Sequence, residues 1–336
     1  MNNISQKRQI SVWINFPRLV GIIVLELLLV LFCRAQANIY IVYNFKGPQF
    51  SDCLFFPDHP MSLFIASLNS GSNGNCYYVG NQDDAVLIDG GISCREIEKR
   101  MKRLGLSIKN VKAVFVSHEH GDHIHGISTL ARKHRLPIHI TPGTLQYGKL
   151  RISEDRIFTL RAHDPFCYGN LKVVAFPKHH DACDPHSFIV SSDTVNVGIF
   201  TDLGIACENV IRYFRQCHAA FLEANYDEAM LENGGYPRAL KNRISSDKGH
   251  LSNKQAMQLF ITHRPSFMTH LFLSHLSKHN NTPKIVKEMF FPVAGNTQII
   301  IASRDKESKL YHIRHTDMHH VGANEQLTLQ SQLSLF

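Results

Sequence analysis

The sequence lacks a long apolar run and has no Cys-x-x-Cys pair. Its most apolar stretch, residues 19–33, is shorter than the about 20 residues that a membrane-spanning helix needs. Eight cysteines scattered over 336 residues argue against a disulfide framework. Hydrophobic residues make up 44% of the chain and charged residues 19%, which excludes intrinsic disorder for most of its length.

What the sequence does contain is an excess of basic residues and of histidine. There are 36 Lys and Arg against 28 Asp and Glu, so the net charge is +8 with histidine neutral. This excess favours a polyanionic partner, although a solvated basic face would give the same count. The 21 histidines fall in clusters, which indicates a metal site.

Residues 1–60 differ in pattern from the rest of the chain. The apolar stretch 19–33 follows basic residues and precedes Ala35-Gln36-Ala37, an arrangement typical of a secretory signal peptide. Glu26 in the middle of this stretch argues against both a signal peptide and a membrane anchor. We expect residues 1–60 to be an upstream extension and Met61 to be the working start, with a signal or anchor segment as the alternative. No stable membrane association is expected.

Residues 61–305 read as one αβ domain and residues 306–336 as a polar tail. The patterns predict helices at 94–104, 124–134, 208–216, 252–263 and 283–290. Apolar strands end directly before Asp89 and before the loop at 117–123. Runs of strands followed by helices occur twice, which predicts two packed β-sheets with helices outside.

The loop at 117–123 reads Ser-His-Glu-His-Gly-Asp-His. Three imidazoles and a carboxylate in so short a loop are costly to bury unless they pair with one another or bind metal. In an extended chain alternate side chains point the same way, so His118 and His120 can share one ion. Asp122 and His123 can then reach a second ion. Two ions about 3.5–4 Å apart suit hydrolysis, because they activate water and stabilise developing negative charge.

The loop motif H-x-H-x-D-H resembles the signature of the metallo-β-lactamase superfamily, and further matches follow in order. Asp89 in Ile-Asp-Gly matches the acidic residue that supports the metal loop. The other matches are His180 in Lys-His-His-Asp-Ala, Asp202 in Phe-Thr-Asp-Leu-Gly and His275 in Leu-Ser-His-Leu-Ser. His179 is the rival of His180. The resemblance implies an αββα sandwich of two mixed β-sheets with helices outside.

The same resemblance implies two divalent metal ions. The implied ligand sets are His118, His120, His180 and Asp202 for one ion, and Asp122, His123, His275 and Asp202 for the other. No cysteine occupies a ligand position. Nitrogen and carboxylate ligands fit zinc, manganese or iron, and the ligand set does not distinguish among these metals.

Further segments narrow the resemblance to the YycJ/WalJ family, over residues 61–305. They are the opening segment at 61–76, Asn225-Tyr-Asp, Gly249-His-Leu-Ser-Asn and His275-Leu-Ser-x-x-Asn-Asn-x-Pro. The resemblance implies a 5′→3′ DNA exonuclease. Hydrolysis of the phosphodiester at the predicted metal site would release a 5′-mononucleotide. The interval between Asp202 and His275 is too short for the cap domain of the RNA-processing nucleases in this superfamily, which leaves an open groove for duplex ends.

Two further groups are predicted to meet the substrate. Ser70, Ser72, Asn73 and Asn75 lie in a glycine-containing loop whose hydroxyl, amide and backbone N–H groups suit phosphate oxygens. A tight structural turn is the alternative for this loop. His250 precedes a predicted helix start and could donate to the scissile phosphate or protonate the leaving oxygen, with a structural capping histidine as the alternative. We assign Asp122 and His250 as catalytic residues.

The chain ends in Gln332-Leu333-Ser334-Leu335-Phe336, which resembles the bacterial sliding-clamp-binding pentapeptide. Leu333, Leu335 and Phe336 would fill a groove, and Gln332 would hydrogen-bond at its rim. A polar tail is a suitable carrier for such a docking peptide, although a frayed amphipathic tail is the alternative. The peptide implies the sliding clamp and DNA as partners, a role in replication or repair, and a cytoplasmic location.

These observations together predict a metal-dependent phosphodiesterase, namely a 5′→3′ DNA exonuclease tethered to the sliding clamp. The alternative is a small-molecule hydrolase of the same fold that acts on an ester, a thioester or a cyclic nucleotide. A third hypothesis is a non-catalytic adaptor that binds DNA and the clamp and holds metal only for structure.

Overall fold

The computed structural model describes residues 62–315. The predicted extension at 1–60, Met61 and the pentapeptide at 332–336 lie outside the described residues. Among residues 62–315, no helix combines the length and the apolar character that crossing a membrane requires.

The described chain alternates strands and helices. The strands are β1 (Leu63–Asn69), β2 (Cys76–Gly80), β3 (Ala85–Ile88), β4 (Val111–Phe115), β5 (Ile138–Ile140), β6 (Ile157–Thr159), β7 (Pro165–Tyr168), β8 (Leu171–Pro177), β9 (His186–Ser192), β10 (Val195–Phe200), β11 (Ala219–Glu223), β12 (His270–Ser274), β13 (Gln298–Ile301) and β14 (Tyr311–Ile313). The α-helices are α1 (Cys94–Arg103), α2 (Gly121–Ile124), α3 (Ile127–His134), α4 (Pro142–Gly148), α5 (Glu208–Phe214), α6 (Glu228–Asn233), α7 (Arg238–Ile244), α8 (Asn253–His263) and α9 (Pro283–Phe290). Short 3₁₀ helices occur at Ile108–Asn110, Glu154–Arg156 and Phe291–Val293.

The strands form two seven-stranded sheets of similar design. The first has the order β14-β1-β2-β3-β4-β5-β6 and the second the order β13-β12-β11-β10-β9-β8-β7. In the first, β14 to β3 pair antiparallel and β3 to β6 parallel. In the second, β7 to β10 pair antiparallel and β10 to β13 parallel. The carboxyl ends of the parallel strands gather at one edge, which is where open α/β sheets bind ligands.

Three apolar clusters divide the described domain into four layers. The central cluster joins the two sheets and includes Phe115, Phe188, Phe221 and Phe272. A second cluster packs the first sheet against α1 and α3, and a third packs the second sheet against α5, α8 and α9. Strands β3 and β11 are buried along their whole length because both faces are covered, which explains why they are apolar except for Glu223 at the end of β11. The predicted arrangement of two mixed sheets with helices outside is confirmed.

Two local features differ from the sequence prediction. The helix predicted at 124–134 is broken into α2 and α3 around Gly126, whose backbone N–H donates to Gly90 O at 2.7 Å. A side chain at Gly126 would lie 2.3 Å from Ile92 O, so only glycine allows this close packing. The first sheet also extends beyond residue 305, because β14 pairs with β1 at the sheet edge.

Candidate metal centre and active site

Three of the predicted site residues follow strand ends in a left-handed backbone conformation. Asp89 after β3, Asp202 after β10 and His275 after β12 have φ angles of 61°, 55° and 56°. This conformation costs a non-glycine residue about 1–3 kcal/mol and is common where a site dictates the backbone. The backbone N–H of His275 donates to Ser70 Oγ at 2.8 Å, and that of Asp89 donates to Phe115 O at 2.8 Å. The strained turns are therefore held by hydrogen bonds to other parts of the domain.

The loop after β4 is anchored through Asp89. The Asp89 carboxylate accepts from Ser117 N and from Ser117 Oγ, both at 2.8 Å. The same carboxylate lies 2.7 Å from His123 Nδ1. Asp89 thus joins the beginning of the motif to its end, which is the arrangement expected of a residue that supports the metal loop.

Three imidazole nitrogens converge in a first cluster. His118 Nε2 lies 3.0 Å from His120 Nδ1, which lies 3.3 Å from His180 Nε2. Ligands about 2.0–2.1 Å from a tetrahedral ion are about 3.3 Å apart, so this spacing suits a shared cation. His180 is buried in the cluster, whereas its rival His179 is exposed and belongs to none of the ligand groups in the described region.

A second cluster is formed by Asp122, His123 and His275. Asp122 Oδ2 lies 3.6 Å from His123 Nε2 and 3.5 Å from His275 Nε2. Asp202 stands between the two clusters, with Oδ1 3.8 Å from His180 Nε2 and Oδ2 3.1 Å from His123 Nε2. The predicted ligand sets are therefore brought together around one shared carboxylate.

Buried atoms without partners show that these residues fit metal ions. Within residues 62–315, Asp202 Oδ2 and His275 Nε2 are buried and make no hydrogen bond. Polar atoms left in this state are expensive, so they are rare unless a water or an ion completes them. Both atoms lie beside ligand atoms of the second cluster, since Asp202 Oδ2 is next to His123 and His275 Nε2 is next to Asp122. The donor set of nitrogens and carboxylates suits a divalent cation.

The electrostatics of the second cluster point to the same conclusion. Burial favours neutral His123, but the carboxylates of Asp202, Asp89 and Asp122 outweigh it and raise the pKa of His123 to about 10. The pKa of His275 is raised well above its ordinary value, because the carboxylates of Asp202, Asp122 and Glu223 outweigh its burial. The carboxylates thus stabilise positive charge in the second cluster, and a bound cation can supply that charge in place of the protons on the histidines.

The first cluster behaves in the opposite way. Burial, with the charge of His123, holds the pKa of His118 well below its ordinary value. Burial lowers the pKa of His180 to about 4 in spite of nearby Asp202. His118 and His180 are therefore neutral at pH 7, which is the form that binds metal.

Comparison with known proteins identifies the family. The pattern of a family described as a beta-lactamase superfamily domain matches residues 84–272. Over 230 residues the chain is 32% identical to exodeoxyribonuclease YycJ of Bacillus anthracis, covering 68% of this chain and 87% of that protein. The chain belongs to the YycJ/WalJ branch of the metallo-β-lactamase superfamily.

A second curated relative agrees with this assignment, and a solved structure agrees with the fold. Exodeoxyribonuclease WalJ of Streptococcus pneumoniae is 31% identical over 225 residues, which cover 65% of this chain and 83% of that protein. The metallo-β-lactamase fold protein YhfI of Bacillus subtilis superposes with a TM-score of 0.58 at 15% identity, covering 75% of this chain and all of that structure. The predicted family and the predicted class of metal-dependent hydrolase are confirmed, and the metallo-β-lactamase fold implies divalent metal binding.

The sequence analysis missed one residue of this metallo-β-lactamase site. Glu223 ends β11 and is fully buried, with Oε1 2.8 Å from both His250 Nδ1 and His275 Nδ1. Its Oε2 accepts from Leu203 N at 2.7 Å and Leu251 N at 3.3 Å. Although burial opposes ionisation, His250 and His275 lower the pKa of Glu223 to about 2. A lone glutamate at the end of an apolar strand was the available signal.

His250 lies at the open side of the site. Its side chain is 21% exposed, and its ring centre is 5.1 Å from that of His180 and 5.3 Å from that of His275. Glu223 engages Nδ1 of His250, so Nε2 is the nitrogen left for a substrate. The sequence prediction of a catalytic His250 stays a prediction, but the ring stands beside both ligand clusters.

The predicted substrate loop has two buried side chains and two exposed ones. Ser70 and Asn75 are buried: Ser70 Oγ accepts from His275 N, and Asn75 Nδ2 lies 3.1 Å from His123 Nε2. These two side chains support the site, as the alternative of a structural turn expects, and their contact with substrate stays a prediction. Ser72 and Asn73 are exposed, and Asn73 Nδ2 donates to Arg304 O at 2.8 Å. For Ser72 and Asn73 the contact with substrate stays a prediction.

Proposed function

We propose that this chain is a metal-dependent phosphodiesterase that degrades DNA from the 5′ end. The observation that carries the proposal is the Glu223–His250 pair beside two ligand clusters. The names of the YycJ and WalJ relatives support DNA as the substrate. The net charge of +8 is favourable for a polyanion.

The residues suggest how metal would be held. His118, His120, His180 and Asp202 would hold one divalent ion, and Asp122, His123, His275 and Asp202 a second, with zinc or manganese favoured and iron possible. When bound, the ions would supply an activated water and positive charge for the phosphate oxygens.

The protein's own groups would manage the leaving oxygen. Hydrolysis that releases a 5′-mononucleotide breaks the bond between phosphorus and the 3′-oxygen, and this oxygen must gain a proton. His250 is the candidate donor through Nε2, because the contact of Glu223 with Nδ1 orients the ring and leaves Nε2 for the substrate. Asp202 and Asp122 keep the neighbouring imidazoles oriented. His250 and Asp122 are thus proposed as the catalytic residues.

The direct test is digestion of linear duplex DNA labelled at either end, by the full chain with added Mn²⁺ or Zn²⁺. We expect mononucleotides to be released from the 5′ end by the parent protein and not by Asp122→Ala. His250→Ala should retain bound metal and lose turnover. If the parent binds metal but cuts neither DNA nor RNA, the proposal fails, and small esters, thioesters and cyclic nucleotides become the substrates to assay.

The clamp-binding role of Gln332, Leu333, Ser334, Leu335 and Phe336 is a separate part of the proposal. We propose that this peptide tethers the enzyme to the sliding clamp during DNA replication or repair in the cytoplasm. Deletion of residues 332–336 should abolish binding to a purified bacterial sliding clamp and leave digestion of short free duplexes unchanged. Equal binding by the deleted and full-length proteins would remove the tether from the proposal.

A further inference from the structure

Helix α7 stands at the rim of the site without taking part in the core. None of its seven residues is buried, yet the segment that follows it leads directly to the site. His250 N donates to Ile244 O at 2.8 Å, and Gly249 O lies 2.9 Å from His180 Nδ1. A contact on α7 therefore lies close, along the chain and in space, to two histidines of the site.

The two arginines of α7 point to different surroundings. Arg238 pairs with Glu232 and lines a cavity of about 490 Å³ formed by α6, α7 and α8. Arg243 lies five positions later, about 140° around a helix of 3.6 residues per turn. Its Nε donates to Asp181 Oδ2, outside that cavity. Arg238 thus contacts α6, and Arg243 faces the metal centre.

Asp181 places the charge of Arg243 beside the first ligand cluster. Asp181 Oδ1 lies 3.4 Å from His180 Nε2, the nitrogen that also lies 3.3 Å from His120 Nδ1. The Arg243 side chain is 59% exposed, so a substrate can reach it. An exposed ion pair contributes little to stability and is easily exchanged, whereas a guanidinium binds a phosphate with two parallel hydrogen bonds.

We propose that Arg243 exchanges Asp181 for a phosphate of the DNA strand, and so holds the strand next to the reacting phosphodiester. This inference rests on the proposed phosphodiesterase function. Without Arg243, the Asp181 carboxylate would repel a phosphate that enters the site. Arg243 both cancels that charge and supplies donors for the phosphate oxygens.

A simpler role for Arg243 is neutralisation of Asp181 alone, and a double-mutant cycle separates the two. The variants are Arg243→Gln, Asp181→Asn and the two combined, with Arg238→Gln as the matched control on the same helix. If Arg243 binds phosphate, the combined variant stays defective. If Arg243 only neutralises, removing both charges restores the parental behaviour.

The measurements are steady-state digestion of a labelled duplex and its equilibrium binding in EDTA, followed by fluorescence anisotropy at several salt concentrations. We expect Arg243→Gln to raise KM and Kd by about tenfold or more, with kcat changed far less. The slope of log Kd against log salt should fall by about one. Arg243→Lys should recover part of the affinity, and Arg238→Gln should match the parent.

Two outcomes overturn the inference while leaving the proposed function in place. One is recovery in the combined variant, and the other is an Arg243→Gln protein that binds and digests DNA as Arg238→Gln does. A parent protein that neither binds nor digests DNA removes the proposed function and this inference together. Thermal melting of each variant checks that the fold is intact.

Discussion

The two halves of the described domain furnish the site in different ways. The first sheet contributes four predicted ligands from one short loop at 117–123, after β4. The second sheet and its connections contribute single residues from separate places. These are His180, Asp202, Glu223, His250 and His275.

This difference shows two ways to assemble a site. In the first half, hydrogen bonds from Ser117 N and Oγ to the Asp89 carboxylate fix the loop. In the second half, the register of the parallel strands places the site residues side by side. Phe200 pairs with Leu222, and Glu223 pairs with Ser274. Asp202, Glu223 and His275 are therefore neighbours although they are far apart in sequence.

The largest effect is expected where the halves meet, at Asp202. Asp202→Asn removes the carboxylate shared by both clusters, so we expect both ions to be lost. Activity should fall by more than about a hundredfold, the upper end for residues that only support a ligand. Asp122→Asn should lose the second ion and keep the first. Metal content after reconstitution, measured by mass spectrometry, checks both, and equal stoichiometry in the two variants would contradict the shared role.

Glu223→Gln tests whether the site residues of the second half depend on the buried Glu223 carboxylate. Glutamine keeps the shape but loses the charge that orients His250 and His275. We expect activity to fall about 10–100-fold, as for other groups that orient metal ligands. The first ion should remain bound in this variant. Unchanged kcat would show that the two histidines are oriented without Glu223.

A pH-dependent test concerns His139 of β5, which links the halves through a 2.6 Å contact between its Nε2 and Tyr168 OH of β7. Burial lowers the pKa of His139 to about 3 from an ordinary 6.5. The unfolded chain therefore binds a proton that the folded chain rejects. The free energy of unfolding is therefore unaffected by this histidine above pH 6.5, and it decreases progressively as the pH falls from 6.5 toward 3.

We expect His139→Phe to reduce the pH dependence of unfolding between pH 7 and 5, by up to about 1.4 kcal/mol per pH unit. Urea unfolding at several pH values measures it. The exposed His279, changed to Gln, is the control and should keep the parental dependence. A His139→Phe protein with the parental slope would show that His139 is not the group responsible.

The smallest effects are expected at helix starts. Ser252 begins α8 with a complete capping box, whereas Ser93 begins α1 with a single bond to Glu96 N at 3.3 Å. Ser252→Ala should lower the free energy of unfolding by about 1 kcal/mol, and Ser93→Ala by about 0.5 kcal/mol. Urea denaturation compares them, and a reversed order would show that the box adds nothing here.

The parts of the site that follow strand ends were predictable from the sequence. Asp89, Asp202 and His275 each come at or just after the end of an apolar strand, and the motif at 117–123 is contiguous. Glu223 was not predictable in its role, because a lone glutamate at a strand end also suits an exposed turn. Only its pairing with His250 and His275 in the fold gives it a function.

The orientation of the loop before β2 could not be predicted either. Ser70 Oγ meets the backbone of His275, which is 205 positions away in the chain, so no local pattern reports the contact. The same holds for the division of the helix at Gly126, which depends on the approach of Gly90 O. Long-range contacts determine these details, whereas the layered arrangement of sheets and helices could be predicted from the periodicity of apolar residues in the sequence.

The short strand β14 has a consequence for any shortened form of this protein. Leu63 and Ile65 of β1 pair with Ile313 and Tyr311, so the last described strand covers the outer side of the first sheet. A protein that ends at residue 305 would leave the N–H and C=O groups of β1 open, and such a bare edge recruits strands from other molecules. The ten residues after the predicted domain end would then decide whether the protein stays monodisperse.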